Sequence, residues 1–76
     1  MDDIRKKVGN RIKELRNNIG ISQEQLGFKA DLDRTYINSV EAGRRNISVV
    51  ALEKIIKALD TDFAYFFNTN DNKNEN

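Results

Sequence analysis

Four polar side chains recur at spacings of one, three and one in the middle of the sequence, at Arg34, Thr35, Asn38 and Ser39. On an α-helix these spacings place the four on one side, opposite Ile37 and Val40. Arginine can donate two hydrogen bonds to guanine, asparagine can pair with adenine in the same way, and a threonine methyl can contact that of thymine. The chemistry that this face supports is the recognition of base edges.

Three more polar side chains follow directly after a glycine that would end the helix: Arg44, Arg45 and Asn46. In a loop these residue types suit contacts with phosphate oxygens, which position a protein on a duplex without reading its sequence. The two sets together predict a surface for double-stranded DNA. The alternative is a solvated helix face beside a charged loop.

The elements that must position these side chains are helices. Apolar residues recur at helical spacing, as in Ile4, Val8, Ile12, Leu15 and Ile19, and the strict alternation typical of strands is missing. We expect an all-α fold of five helices within a domain over residues 3–67, and a disordered polar tail over residues 68–76. The helices are predicted over about 3–19, 23–30, 34–42, 49–59 and 62–67.

Local signals predict where these helices begin and end. Ser22 and Gln25 form the S-x-x-Q pattern of a capping box, and Asp33 is a suitable N-cap for the third helix. Gly20 and Gly43 fall where the first and third helices should stop. The second and third helices are thus separated by about three residues, which is the layout of a helix-turn-helix. In that layout the second helix of the pair lies in the major groove.

Composition excludes several classes of function. The sequence has 76 residues, which suffice for one small domain, and it contains no histidine and no cysteine. We therefore expect no enzymatic activity, no metal, no cofactor and no small-molecule substrate. No stretch approaches the roughly 18 apolar residues of a membrane span, and the N-terminus lacks the apolar region of a signal peptide. We expect a soluble, cytoplasmic protein with no membrane partner.

The charge is distributed unevenly. The whole chain carries only +1, but residues 1–20 carry +3, residues 21–47 are balanced and residues 48–76 carry −2. The positive end is therefore N-terminal, which agrees with a polyanionic partner but is also compatible with a uniformly solvated surface.

The stretch SQEQLGFKADLDRTYINSVEAGRRNISVVALEKIIKAL, over residues 22–59, resembles the lambda-repressor-like helix-turn-helix of the Xre family. Within that family it is similar to the controller proteins of restriction–modification systems. The matching features are Ser22-Gln23-Glu24-x-Leu26, Ala30-x-Leu32, Asp33-Arg34-Thr35-Tyr36-Ile37, Glu41-x-Gly43 with Arg45-Asn46, and Leu52 through Leu59. The sequence departs from the family at Gly27, where alanine is frequent, and at Asp31, where glycine is frequent.

The resemblance implies a role for several further residues. Ser22 and Gln23, at the start of the second helix, would contact a phosphate, and Gln23 would also brace Arg34. Tyr36 would contact base edges or backbone, or else pack against the core. A structural ion pair between the first helix and the end of the third is implied for Arg16 and Glu41.

Four of the six aromatic residues fall within residues 63–67, which is more than so short a helix can bury against its own domain. Two-fold dimers present two recognition helices about one turn of DNA apart. We therefore expect a homodimer with an interface formed by Ile47, Val50, Phe63, Tyr65, Phe66 and Phe67. In the other interpretation, Phe63 and Phe66 close the core beneath the fourth helix.

These features predict a sequence-specific DNA-binding transcriptional regulator that binds operator half-sites as a homodimer. The alternative from another class is a protein-interaction module, such as an antitoxin or adaptor, that docks a partner through the aromatic C-terminal helix. DNA binding through phosphates weakens steeply with salt, whereas docking on phenylalanines does not.

Overall fold

The computed structural model describes residues 3–68, which form five α-helices joined by short connections. The helices are α1 (Ile4–Ile19), α2 (Gln23–Ala30), α3 (Arg34–Glu41), α4 (Val49–Ala58) and α5 (Phe63–Phe67). The predicted all-α class and the five predicted helices are confirmed. No helix in the described part of the chain is long and apolar enough to cross a membrane. The predicted tail over 68–76 lies outside the described residues, apart from Asn68.

Every helix begins at a polar side chain that accepts a backbone N–H of the first turn. The N-cap residues are Asp3, Ser22, Asp33, Ser48 and Asp62. The predicted capping box is present, because Ser22 Oγ accepts from the N–H of Gln25 at 3.0 Å and Gln25 Oε1 accepts from the N–H of Ser22 at 2.8 Å. Unpaired N–H groups at helix starts are thereby satisfied by residues adjacent in sequence.

Each of the first four helices is followed within two residues by a residue in the left-handed conformation. These residues are Gly20, Asp31, Gly43 and Asp60. After α3, the N–H of Gly43 donates to Val40 O and that of Arg44 donates to Ser39 O, both at 3.0 Å. This pair of bonds is the Schellman motif, which stops a helix by satisfying its last carbonyls. Asp31 and Asp60 adopt a φ of 60°, which aspartate tolerates better than most side chains.

The core lies between α1, α2, α3 and α4, and α5 adds one ring to it. Its largest fully buried side chains are Phe66, Ile12, Leu26, Ile37, Ile55, Ile56 and Val40. The expectation that Phe66 belongs to a dimer interface is wrong, because its side chain is 0% exposed within its own subunit. Not all of the apolar residues at helical spacing in α1 are buried. Ile4 and Ile19 are exposed because they lie at the two ends of α1, which is twice as long as α2 or α3.

Two glycines allow helices to approach closely. A Cβ at Gly9 would overlap the carbonyl oxygen of Val40 and come within 2.8 Å of that of Glu41, so α1 touches the backbone of α3 directly. A Cβ at Gly27 would lie 2.6 Å from the carbonyl oxygen of Leu32. The turn between α2 and α3 therefore passes directly over Gly27. This close approach explains why glycine occurs here, where alanine is frequent in the family.

Replacement of Gly9 by alanine should destabilise the fold, although alanine favours helices by about 1 kcal/mol. The methyl group would force the backbones of α1 and α3 apart, and overpacking of this kind costs about 1–3 kcal/mol. We expect a net loss of up to about 2 kcal/mol in the free energy of unfolding, measured by urea denaturation. Asn10→Ala, at an exposed position of the same helix, is the control and should not destabilise the protein.

Candidate nucleic-acid interface

The helix-turn-helix is formed by α2 and α3, which pack against each other across the turn at residues 31–33. Ile37 and Val40 hold α3 on the core with exposures of 0% and 2%. Because these two residues fix the inner face, the opposite face of α3 points to solvent. That face is available to a ligand as large as a duplex.

The residues predicted to read bases lie on this outer face. Arg34, Thr35 and Asn38 are exposed, and Ser39 is half-buried. Arg34 and Thr35 occupy the first turn of α3, at its N-terminal end. The N-terminal residues of a recognition helix are those that reach base edges when such a helix enters the major groove.

The loop after α3 presents its cations beside the same face. Arg44, Arg45 and Asn46 are all exposed. The guanidinium of Arg45 lies 4.7 Å from the ring centroid of Tyr36, and Tyr36 itself is half-buried against the core. Tyr36 therefore packs inward while its ring supports a cation, which is a favourable arrangement for an arginine.

The N-terminus of α2 borders this surface. Ser22 is exposed and Gln23 is half-buried. Helix N-termini carry partial positive charge and free N–H groups, so they favour phosphate. Gln23 does not brace Arg34 as the resemblance implied. Its amide nitrogen donates to Glu41 Oε1 at 3.0 Å, and its amide oxygen accepts from Asn38 Nδ2 at 3.2 Å.

The implied ion pair between Arg16 and Glu41 is present. Arg16 Nε lies 2.7 Å from Glu41 Oε2, and Arg16 Nη2 lies 3.0 Å from Oε1. Only 4% of the Glu41 side chain is exposed. The hydrogen bonds from Arg16 to this carboxylate raise the pKa of the arginine above its ordinary value. A third bond, from Arg16 Nη1 to Ile21 O at 2.9 Å, joins the connection between α1 and α2 to the same pair.

Arg11 was not singled out by the sequence but holds α5 in place. Its Nε donates to Phe66 O at 2.6 Å and its Nη2 to Tyr65 O at 2.7 Å. Its guanidinium also lies 5.2 Å from the ring centroid of Tyr65. A cation at the last carbonyls of a helix stabilises its C-terminus. No sequence signal indicates this contact, because the partners are separated by more than fifty residues.

The predicted dimer surface is partly exposed. Phe63, Tyr65 and Phe67 are 40%, 55% and 50% exposed, and the rings of Phe63 and Phe67 stack with centroids 6.5 Å apart. Val50, in the first turn of α4, is 64% exposed. Ile47 is half-buried and packs against the core. Phe66 lies beneath this surface rather than on it.

A helix-turn-helix with a polar outer face on its second helix defines a class of DNA-binding domains. The helix-turn-helix family HTH_3 matches residues 12–66, and the chain belongs to this family.

Its relatives include two control proteins. Control protein C.MunI from a Mycoplasma species is 44% identical, with 88% of this chain and 92% of the relative aligned. Control protein C.BamHI from Bacillus amyloliquefaciens is also 44% identical, over 76% of this chain and 73% of the relative.

Solved structures agree with these relatives. The controller protein C.AhdI from Aeromonas hydrophila superposes with a TM-score of 0.81 at 44% identity, covering 84% of this chain and 97% of that one. The chain also superposes on C.Esp1396I, with a TM-score of 0.82 at 39% identity over 88% of both chains. That structure is a tetramer in complex with its natural 35 base-pair operator.

Replacement of Arg16 by alanine should strongly destabilise the fold, because it leaves the buried carboxylate of Glu41 without its cation. Breaking one side of a buried pair costs about 3–5 kcal/mol. Arg5→Ala is the matched control, because it removes an arginine from the exposed pair with Asp3 and should cost far less than Arg16→Ala. Denaturant unfolding of both variants measures the difference. Equal costs for the two substitutions would contradict the structural role assigned to Arg16.

Proposed function

We propose that this protein is a sequence-specific DNA-binding transcriptional regulator of the type that controls a restriction–modification system. The observation that carries the proposal is the outer face of α3, where Arg34, Thr35 and Asn38 are exposed while Ile37 and Val40 fix the helix on the core. Membership of the helix-turn-helix family and the similarity to control proteins over most of the chain support it.

In the proposed complex, α3 enters the major groove. Arg34 and Thr35 in its first turn contact base edges, with Asn38 and Ser39 following one turn later. Ser22, Gln23 and the N-terminus of α2 face a phosphate on one side of the groove. The remaining phosphate contacts come from Tyr36 in α3 and from three residues of the loop after it: Arg44, Arg45 and Asn46.

The regulator acts as a homodimer. One recognition helix reads only a few base pairs, and a two-fold dimer adds a second half-site. The proposed interface centres on the exposed part of α5, namely Phe63, Tyr65 and Phe67, with Val50 and the half-buried Ile47 as further members. The oligomeric, operator-bound form of the similar C.Esp1396I supports this assembly.

The activity proposed is binding rather than catalysis, without metal or cofactor, on DNA in the cytoplasm. Occupancy of the operator would then follow the concentration of the protein itself. The similarity to the control proteins C.MunI and C.BamHI agrees with such a role.

Two kinds of arginine should respond differently to substitution. On a duplex selected from a random pool, Arg34→Ala should lose about 1–3 kcal/mol of discrimination at one base position. Arg45→Ala should weaken all sequences about equally and reduce the salt slope by about 0.9, the value for one phosphate contact. Fluorescence anisotropy at several salt concentrations measures both effects.

The wild-type protein is the reference for this experiment. Its affinity for duplex should fall steeply with added salt, since several phosphates are neutralised. Unchanged relative base preference in Arg34→Ala would show that α3 is not the recognition helix. Salt-independent binding, or no binding to any duplex, would favour the protein-interaction module instead.

The proposed dimer surface can be tested with two matched substitutions. Phe67→Glu places a charge on the exposed part of α5 and should raise the dimer dissociation constant by more than about tenfold, as for an interface hot spot. Phe28→Glu makes the same change on α2, where the ring is 88% exposed and outside the proposed interface. Sedimentation equilibrium over a concentration series should show weakened dimerisation for the first variant alone. Equal dissociation of both variants would refute this interface.

A further inference from the structure

A chain of hydrogen bonds runs from the interior of the protein to the loop that follows α3. Buried Glu41, held by Arg16, accepts from Gln23 Nε2 at 3.0 Å. Gln23 Oε1 then accepts from Asn38 Nδ2 at 3.2 Å, and Asn38 Oδ1 accepts from Arg44 Nη2 at 3.4 Å. Two side chains and three hydrogen bonds therefore connect a buried carboxylate with an exposed guanidinium.

The direction of every bond in this chain is set by its inner end. An ionised carboxylate can only accept, so the amide of Gln23 must turn its nitrogen toward Glu41 and its oxygen outward. That oxygen also can only accept, so Asn38 must turn its nitrogen toward Gln23 and its own oxygen toward the loop. An outward oxygen is the group that a guanidinium can bind, since arginine offers donors alone.

We propose, on the basis of the function proposed above, that Glu41 is a positioning residue for DNA binding. Through Gln23 and Asn38 it holds the guanidinium of Arg44 in place for a phosphate contact, although Glu41 itself is buried and touches no DNA. Its role thus extends beyond the stability that its ion pair with Arg16 provides. A guanidinium held before binding loses less rotamer freedom when it meets the phosphate.

The neighbouring arginine provides an internal comparison. Arg45 is adjacent in sequence, exposed and cationic, but it is supported by the ring of Tyr36 rather than by Asn38. Loss of the hydrogen-bond chain should therefore change the contribution of Arg44 and leave that of Arg45 as it was.

Glu41 Oε1 accepts both from Gln23 Nε2 and from Arg16 Nη2, so a substitution of Glu41 would disturb the ion pair and the chain together. Gln23→Leu interrupts the chain while leaving the bonds between Arg16 and Glu41 in place. The Asn38 amide would then lose the acceptor that directs its nitrogen, and its oxygen would no longer be held toward Arg44. The guanidinium of Arg44 would leave its position.

A double-mutant cycle on duplex binding tests whether the hydrogen-bond chain from Glu41 positions Arg44. Single variants Gln23→Leu, Arg44→Ala and Arg45→Ala are compared with the doubles Gln23→Leu/Arg44→Ala and Gln23→Leu/Arg45→Ala, using folded protein verified by circular dichroism. We expect non-additivity of about twofold or more in Kd for the Arg44 cycle, and additivity for the Arg45 cycle. Gln23→Leu alone should also reduce the salt slope by up to about 0.9, as if one cationic phosphate contact were lost, although glutamine itself is uncharged.

Additivity in the Arg44 cycle, or an unchanged salt slope, would overturn the proposal, since a purely structural residue moves neither quantity. Asn38→Ala removes the acceptor of Arg44 itself and leaves the ion pair with Arg16 in place, so it replaces Gln23→Leu if that variant does not fold. The same non-additivity with Arg44→Ala is expected there, and its absence would refute the proposal. Failure of the wild-type protein to bind duplex is a separate outcome, which would refute the proposed function itself.

Discussion

The buried carboxylate of Glu41 is the group on which the arrangement of the first three helices depends. It accepts two hydrogen bonds from Arg16 on α1 and one from Gln23 at the start of α2, while it is itself the last residue of α3. A buried charge is tolerated only when its partners satisfy it. The three helices must therefore meet at one place and in one orientation, so α3 is held at a fixed angle to its neighbours.

Close packing of the backbone complements this electrostatic constraint. Gly9 brings α1 against the end of α3, and Gly27 brings the turn against α2. Apolar side chains such as Ile37 and Val40 then hold α3 from beneath. Burial of Ile37 and Val40 fixes which face of α3 turns inward, and the ion pair ties the C-terminal end of α3 to α1. Both are needed for its polar face to be presented in a constant position.

The helices and their ends could be predicted because their signals are local. A capping box such as Ser22 with Gln25, or a left-handed residue such as Gly43, acts within one turn of helix. The pairing of Arg16 with Glu41 came from resemblance to a family rather than from spacing.

Contacts between distant residues were less accessible. Arg11 reaches the carbonyls of α5 across more than fifty residues, and nothing in its neighbourhood indicates this. Phe66 was placed in an interface because four aromatic residues occur together, but only tertiary packing decides which ring turns inward. The resemblance implies a contact between Gln23 and Arg34, whereas the Gln23 amide donates to the buried carboxylate of Glu41. Which side chains are exposed on α3 was predictable, whereas the bonds that orient them were not.

The left-handed caps at Gly20, Asp31, Gly43 and Asp60 have a consequence for how rapidly the molecule assembles. Each reversal of the chain is closed by bonds between residues at most five positions apart. Helical domains dominated by such short-range contacts fold in microseconds to milliseconds. For a regulator that works in pairs, the slow event after synthesis is then the encounter of two finished subunits, whose rate rises with the square of their number. The delay before such a protein takes effect would be set by its abundance rather than by its folding.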